Sequence, residues 1–214
     1  MFIQWMSNPV YTACDRLVKL TYLNFLWVIF TLAGGVVAGV FPATAALFHM
    51  LRRLVRGETL NDVLQHYALF YKEEFIRSNK YGLFFWAGAL LLTVNLLLLT
   101  QFSGLLLIGI MSGMIFTIFL FLTTLAFFFP VYASMPDLGF KNTVKLAFFL
   151  PFSRTSVFLL AFGGSAVLAA AFFVFPVLLT FWGASAFAFL YMKAVDMKLS
   201  PKRSIQPTSA YGIS

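Results

Sequence analysis

The chain has 214 residues, of which 61% are hydrophobic and 10% charged, and it carries a net charge of +8. A soluble domain holds about 45–50% apolar and about 25% charged residues, so a water-soluble fold is excluded and a single membrane domain over 1–214 is expected. The excess of Lys and Arg would suggest nucleic acid in a soluble protein, but in a membrane protein it marks loops on the cytoplasmic side, so no nucleic-acid partner is expected.

Residues 20–51, 81–136 and 155–192 contain no Lys, Arg, Asp or Glu. They are 32, 56 and 38 residues long, against about 20 apolar residues for one crossing. The pattern predicts an all-α polytopic bundle in the lipid bilayer, with six apolar segments in three hairpins.

In the first stretch, Leu20–Ala33 is helical in character. Gly34-Gly35 and Gly39 weaken the helix, and Pro42 favours a new start. Pro42–Arg56 reads as a second helix that emerges into basic sequence. This stretch is short for two full crossings at about 1.5 Å per residue. It forms either two short helices or one span and a partly re-entrant piece. The apolar run ahead of Ala43-Thr44-Ala45 is longer than a usual signal core, so it reads as an uncleaved anchor.

A cytoplasmic loop over 57–80 follows. Within it, Asn61–Asn79 has the pattern of an amphipathic helix with Asn61 as N-cap. Leu64, Tyr67, Ala68, Tyr71 and Phe75 share one face. The second stretch divides into Leu83–Thr100 and Gly104–Phe129, joined by an uncharged turn. The third divides at Pro176 into Ser156–Val174 and Val177–Met192, and a basic tail over 193–214 closes the chain.

Charge orients these segments. Arg52, Arg53, Arg56, Lys72, Arg77 and Lys80 fall in one inter-span segment, Lys141, Lys145 and Arg154 in another, and Lys193, Lys198, Lys202 and Arg203 in the tail. The positive-inside rule places all three in the cytoplasm, with the C-terminus. Three hairpins put the N-terminus, with Arg16 and Lys19, inside as well, whereas a single first span puts it outside. The inside arrangement is favoured because it leaves no Lys or Arg outside.

Several local patterns carry a family resemblance. They are Leu23-Asn24-Phe25-Leu26-Trp27, Gly39-Val40-Phe41-Pro42-Ala43-Thr44-Ala45-Ala46, Arg52-Arg53, Arg56-Gly57, Tyr71-Lys72-Glu73-Glu74-Phe75 and Phe129-Pro130-Val131-Tyr132. In these the chain resembles the YesL-like membrane proteins of Gram-positive bacteria, most strongly over residues 9–82. The resemblance implies a multi-pass protein of the bacterial plasma membrane, often in genomic company with carbohydrate uptake and degradation. It supplies no catalytic or binding residue to carry over.

Chemistry is sparse in the sequence. Cys14 is the one cysteine, and His49 and His66 are the two histidines. They do not supply converging metal ligands, so no metal, cofactor or catalytic residue is expected. Proton-coupled transporters place acids or bases within the bilayer, and the charge-free stretches hold none. Their polar groups include Asn24 and Asn95, read as hydrogen bonds across helices before solute contacts. Gly109 and Gly113, and Ala161, Ser165 and Ala169, read as packing seams first and oligomer contacts second. Glu73 and Arg77 read as a solvated ion pair.

The expected function is that of a non-enzymatic accessory or partner-binding component linked to carbohydrate uptake or utilisation. Arg52, Arg53, Arg56, Tyr71 and Lys72 would form the contact with a sugar-importer subunit or a membrane-bound regulator. A small-solute permease or permease subunit, including one built as a homo-oligomer, is the alternative.

Overall fold

A computed structural model of the chain describes residues 9–58, 60, 62–101 and 103–199, with side chains from Ala13 onward. The expected N-cap Asn61 and most of the basic tail lie outside the described residues. Within them every regular element is helical: α1 Pro9–Ala33, α2 Val40–Val55, α3 Val63–Leu98, α4 Gly104–Ser134, α5 Phe140–Ser153, α6 Thr155–Val174 and α7 Val177–Leu199. A 3₁₀ turn, Leu99–Gln101, ends α3, and a π turn, Leu159–Gly163, interrupts α6.

Five of these helices, α1, α3, α4, α6 and α7, are long and apolar enough to cross a membrane. The protein is therefore an integral membrane protein. Helix α2 is not among the five. Its 16 residues extend about 24 Å, less than the hydrocarbon layer. It is instead the enclosed centre of the bundle, packed against α1, α3, α4 and α7, with Ala43, Ala46, Leu47, Met50 and Leu51 at or below 1% exposure. A short helix ending at membrane depth is tolerated when protein covers it.

The turn from α1 into α2 depends on two glycines. A Cβ on Gly39 would collide with the Thr31 carbonyl, and one on Gly34 with the Tyr71 hydroxyl. The chain reverses tightly there, and Trp27 Nε1 donates to Thr44 Oγ1 at 3.1 Å across the two helices.

Helices α1 and α7 run in the same direction. Trp182 Nε1 reaches the Leu17 carbonyl at 3.4 Å. Asn24 bonds to Thr180, Ala184 and Ser185. The far end of α1 meets the charged first half of α3, where Phe30 packs on Tyr67 and Tyr71, and the far end of α7 reaches Arg56 through Asp196. Both helices therefore finish at the charged end. The start of α1 lies at the end of the bundle opposite the charged residues of α7. This geometry matches a single first span, not the first of three hairpins.

The amphipathic segment and the following span are one continuous helix, α3, of 36 residues. At about 54 Å it outruns the bilayer core, and its first half covers the charged end of the bundle. Tyr67, Tyr71, Ser78, Gly82 and Phe85 form its buried stripe, whereas Leu64 is 50% exposed, so the covered face is rotated from the expected one. The Tyr67 hydroxyl donates to Ala43 O at 2.7 Å, and Phe30 packs on the rings of Tyr67 and Tyr71.

Helix α5 occupies the inter-span segment that holds Lys141 and Lys145. Its Phe140 stacks on Tyr81 at 4.8 Å, while Lys141 and Lys145 face outward. Gly109 and Gly113 differ from their expected role too. Nothing lies within 4 Å of where their Cβ atoms would be, so they are open surface on α4 and not seams inside the bundle. Ala161 is buried and Ser165 bonds to Tyr191, as a packing role requires, but Ala169 is exposed.

Candidate functional site

Four helices converge at the charged end. Helix α2 ends in His49, Arg52 and Arg53, and α3 contributes Glu74 and Arg77 from its first half. Helix α4 ends at Tyr132, Ala133 and Ser134, and α7 supplies Asp196.

Glu74 is the hub of this cluster. Its side chain is only 13% exposed, and it accepts a short hydrogen bond from the Tyr132 hydroxyl. His49 Nε2 lies 3.9 Å from the other carboxylate oxygen, and its ring stacks on Phe70 at 4.9 Å. Helix α2 is not one of the crossing helices. Burial, then the nearby Arg52 and Arg77, push the His49 imidazole down to about 4. At neutral pH the histidine is uncharged, so its contact with Glu74 is not an ion pair. His49 Nε2 and Arg52 Nε are buried with no hydrogen-bond partner among the described residues.

Two arginines close the C-terminal end of α4. Arg52 Nη1 donates to Ala133 O at 2.7 Å, and Arg77 Nη2 donates to Pro136 O at 3.0 Å. The last carbonyls of a helix lack intrahelical donors and carry partial negative charge, which is why cations settle there. Arg77 also lies over the Tyr132 ring at 5.1 Å and donates to the Tyr81 hydroxyl at 3.3 Å. It does not pair with Glu73, contrary to expectation.

The expected contact residues separate into two groups. Arg52 is tied to α4, and Tyr71 is 9% exposed between Phe30 and Phe75. Both are framework residues. Arg53 pairs with Glu58 at 3.1 Å and Arg56 with Asp196 at 3.5 Å, both at the rim, and Lys72 is exposed. Asn24 is buried and fully engaged with α7, whereas Asn95 is exposed and donates to Leu91 O in its own helix at 2.8 Å. Sequence reasoning missed Glu74 and Tyr132. The available signal was that Glu74 falls on the same helical stripe as Tyr67, Tyr71 and Ser78.

The family model described as "Protein of unknown function, DUF624" matches residues 20–96, the segment that carries α2, His49, Arg52, Glu74 and Arg77. Across a longer alignment, the chain is 33% identical over 184 residues to "Uncharacterized protein YesL" of Bacillus subtilis (strain 168), covering 86% of each chain. The chain belongs to the DUF624 family. It is also 32% identical over 127 residues to "Uncharacterized protein YesV" and 37% identical over 118 residues to "Uncharacterized protein YteU" of the same organism. Those alignments span 59% and 55% of this chain, and 61% and 53% of the relatives. No solved structure matches the chain. The DUF624 segment therefore includes His49, Glu74, Arg77 and Tyr81, the titratable groups packed around Tyr132, together with the turn that positions them.

Proposed function

We propose that this DUF624 protein is a non-enzymatic accessory component of the bacterial plasma membrane, linked to carbohydrate uptake or utilisation. It docks an acidic surface of a partner, such as a sugar-importer subunit or membrane-bound regulator, on the charged end of the bundle. The observation that carries this reading is the division of polar groups between framework and surface. Asn24, Arg52, Glu74, Arg77 and Tyr132 are spent on holding helices together. Arg53, Arg56 and Lys72 remain at the rim of that framework. A rigid frame under surface cations favours charge-complementary docking, which guides partner choice and orientation.

The charged end faces the cytoplasm in this proposal, following the positive-inside rule. The start of α1, with Arg16 and Lys19, is outside in this proposal, a reading that the parallel course of α1 and α7 supports. The carbohydrate link rests on resemblance to the YesL-like family.

Purified protein in vesicles tests the proposal against the permease alternative. Radiolabelled mono- and oligosaccharides are expected to equilibrate no faster than in protein-free vesicles. Saturable uptake that depends on the protein would contradict the accessory role and support a permease.

A further inference from the structure

One to two turns from the charged end, α2, α3, α4 and α7 enclose a cavity of about 440 Å³. Phe41, Phe48, Phe85, Phe121 and Phe129 supply much of its wall. Its size lies within the range of about 300–1,000 Å³ typical of ligand sites, and carbon dominates the lining.

The hydroxyls of Thr44 and Tyr191 are already engaged. Thr44 Oγ1 donates to Val40 O at 2.6 Å and accepts from Trp27, and Tyr191 accepts from Ser165 Oγ at 3.4 Å. The lining therefore offers little to a sugar, an ion or a string of waters. An apolar space of this kind excludes water and is filled by apolar matter.

Its position identifies that matter. Three of the four wall helices, α3, α4 and α7, cross the bilayer, and Trp86, 48% exposed on α3, is the most exposed part of the lining. Trp86 lies in the charge-free half of α3 that enters the bilayer, so the mouth faces hydrocarbon and not water. Phe48 and Phe129, at the inner part of the wall, adjoin His49 and Arg52 on one side and Tyr132 on the other. A chain entering here would leave its glycerol and phosphate at the level of the basic residues. We infer that the cavity is a binding site for one acyl chain of a membrane phospholipid, admitted sideways from the bilayer beside Trp86.

Native mass spectrometry of detergent-purified protein tests this on three forms. They are the wild type, a doubly filled variant (Ala89→Phe with Ala126→Phe), and Ala170→Phe, a change of equal size on the exposed surface of α6. The wild type and Ala170→Phe are expected to carry one phospholipid, and the filled variant to lose it on the order of tenfold. An equal adduct on all three, or none on the wild type, would overturn the assignment. If the filled variant does not fold, the wild type decides the matter. After delipidation it is expected to take up palmitoyl-oleoyl-phosphatidylglycerol to saturation at one lipid per chain, with a rise in Tm. Uptake that never saturates would overturn the assignment.

Discussion

The side-chain oxygen of Asn24 accepts the backbone N–H of Ala184 at 3.1 Å. Its amide nitrogen donates to the carbonyl of Thr180 at 2.9 Å, the group that Ala184 would bond in an undisturbed helix. The asparagine thus bonds both a donor and an acceptor of the α7 backbone and ties the first crossing helix to the last. In hydrocarbon a polar side chain has no water to turn to, and these contacts satisfy both ends of the amide.

Asn24→Leu is expected to lower stability by about 1–2 kcal/mol, since an interhelical hydrogen bond in a membrane contributes about that much. Asn95→Leu removes a polar group that faces outward and bonds only within its own helix, so its Tm should hold or rise. Thermal unfolding in detergent, followed by gel filtration, compares the two. Equal losses would contradict the structural role given to Asn24.

Neighbouring glutamates should behave differently. Tyr132→Phe, and Glu74→Ala with it, removes a hydrogen bond to a buried charged group, at a cost of about 1.5–3 kcal/mol. Glu73→Ala changes an exposed side chain and should stay within about 0.5 kcal/mol. The same unfolding assay reads all three, and a Glu73 effect as large as that of Glu74 would contradict the hub.

Stability should depend on pH through His49. Burial and the nearby arginines hold its imidazole at about 4 in the folded protein against an ordinary 6.5, so the unfolded chain binds the proton more readily. Stability from this group is full above about 6.5 and is lost as pH falls from there toward 4. Glu74, Arg52, Arg77 and Tyr132 surround the ring in the wild type and in His49→Gln alike, so the difference between the two isolates the imidazole. The wild type is expected to lose ground to His49→Gln from pH 6.5 to 5 and to keep a constant offset from pH 7 to 8. Parallel curves over the whole range would refute the assignment.

The crossing helices were legible in the sequence because a bilayer tolerates few charges at depth, so charge-free runs mark spans directly. Where helices continue past the bilayer, that signal stops. Lys72, Glu73, Arg77 and Lys80 hid the unbroken course of α3, and Lys141 and Lys145 marked the inter-span segment without revealing that it is the helix α5. Glu74 was hidden for another reason. Its partner Tyr132 lies 58 residues away, and no local spacing reveals that contact. The shared direction of α1 and α7 depends on the same kind of distant contact, that of Asn24, whereas counting charges favoured the opposite arrangement.

The proposed orientation gives the native cysteine an expected behaviour. Cys14 is exposed near the start of α1, the end opposite the charged cluster. A membrane-impermeant thiol reagent applied to intact cells should label it. Glu58→Cys and Asp137→Cys, each combined with Cys14→Ser, should be protected. Protection of Cys14 with labelling of either engineered site would reverse the orientation.

Docking at the charged end requires that the rim cations hold a partner. Arg53→Glu, Arg56→Glu and Lys72→Glu combined should leave the fold intact, because Lys72 is exposed and ion pairs at the solvent rim contribute only about 0–1 kcal/mol each. The decisive measurement is quantitative recovery of co-purifying protein from native membranes, normalised to the amount of inserted chain, for the wild type and this triple variant. The account predicts a partner that is recovered with the wild type and reduced on the order of tenfold with the variant. Equal recovery with both, at equal insertion, would contradict docking at the charged end.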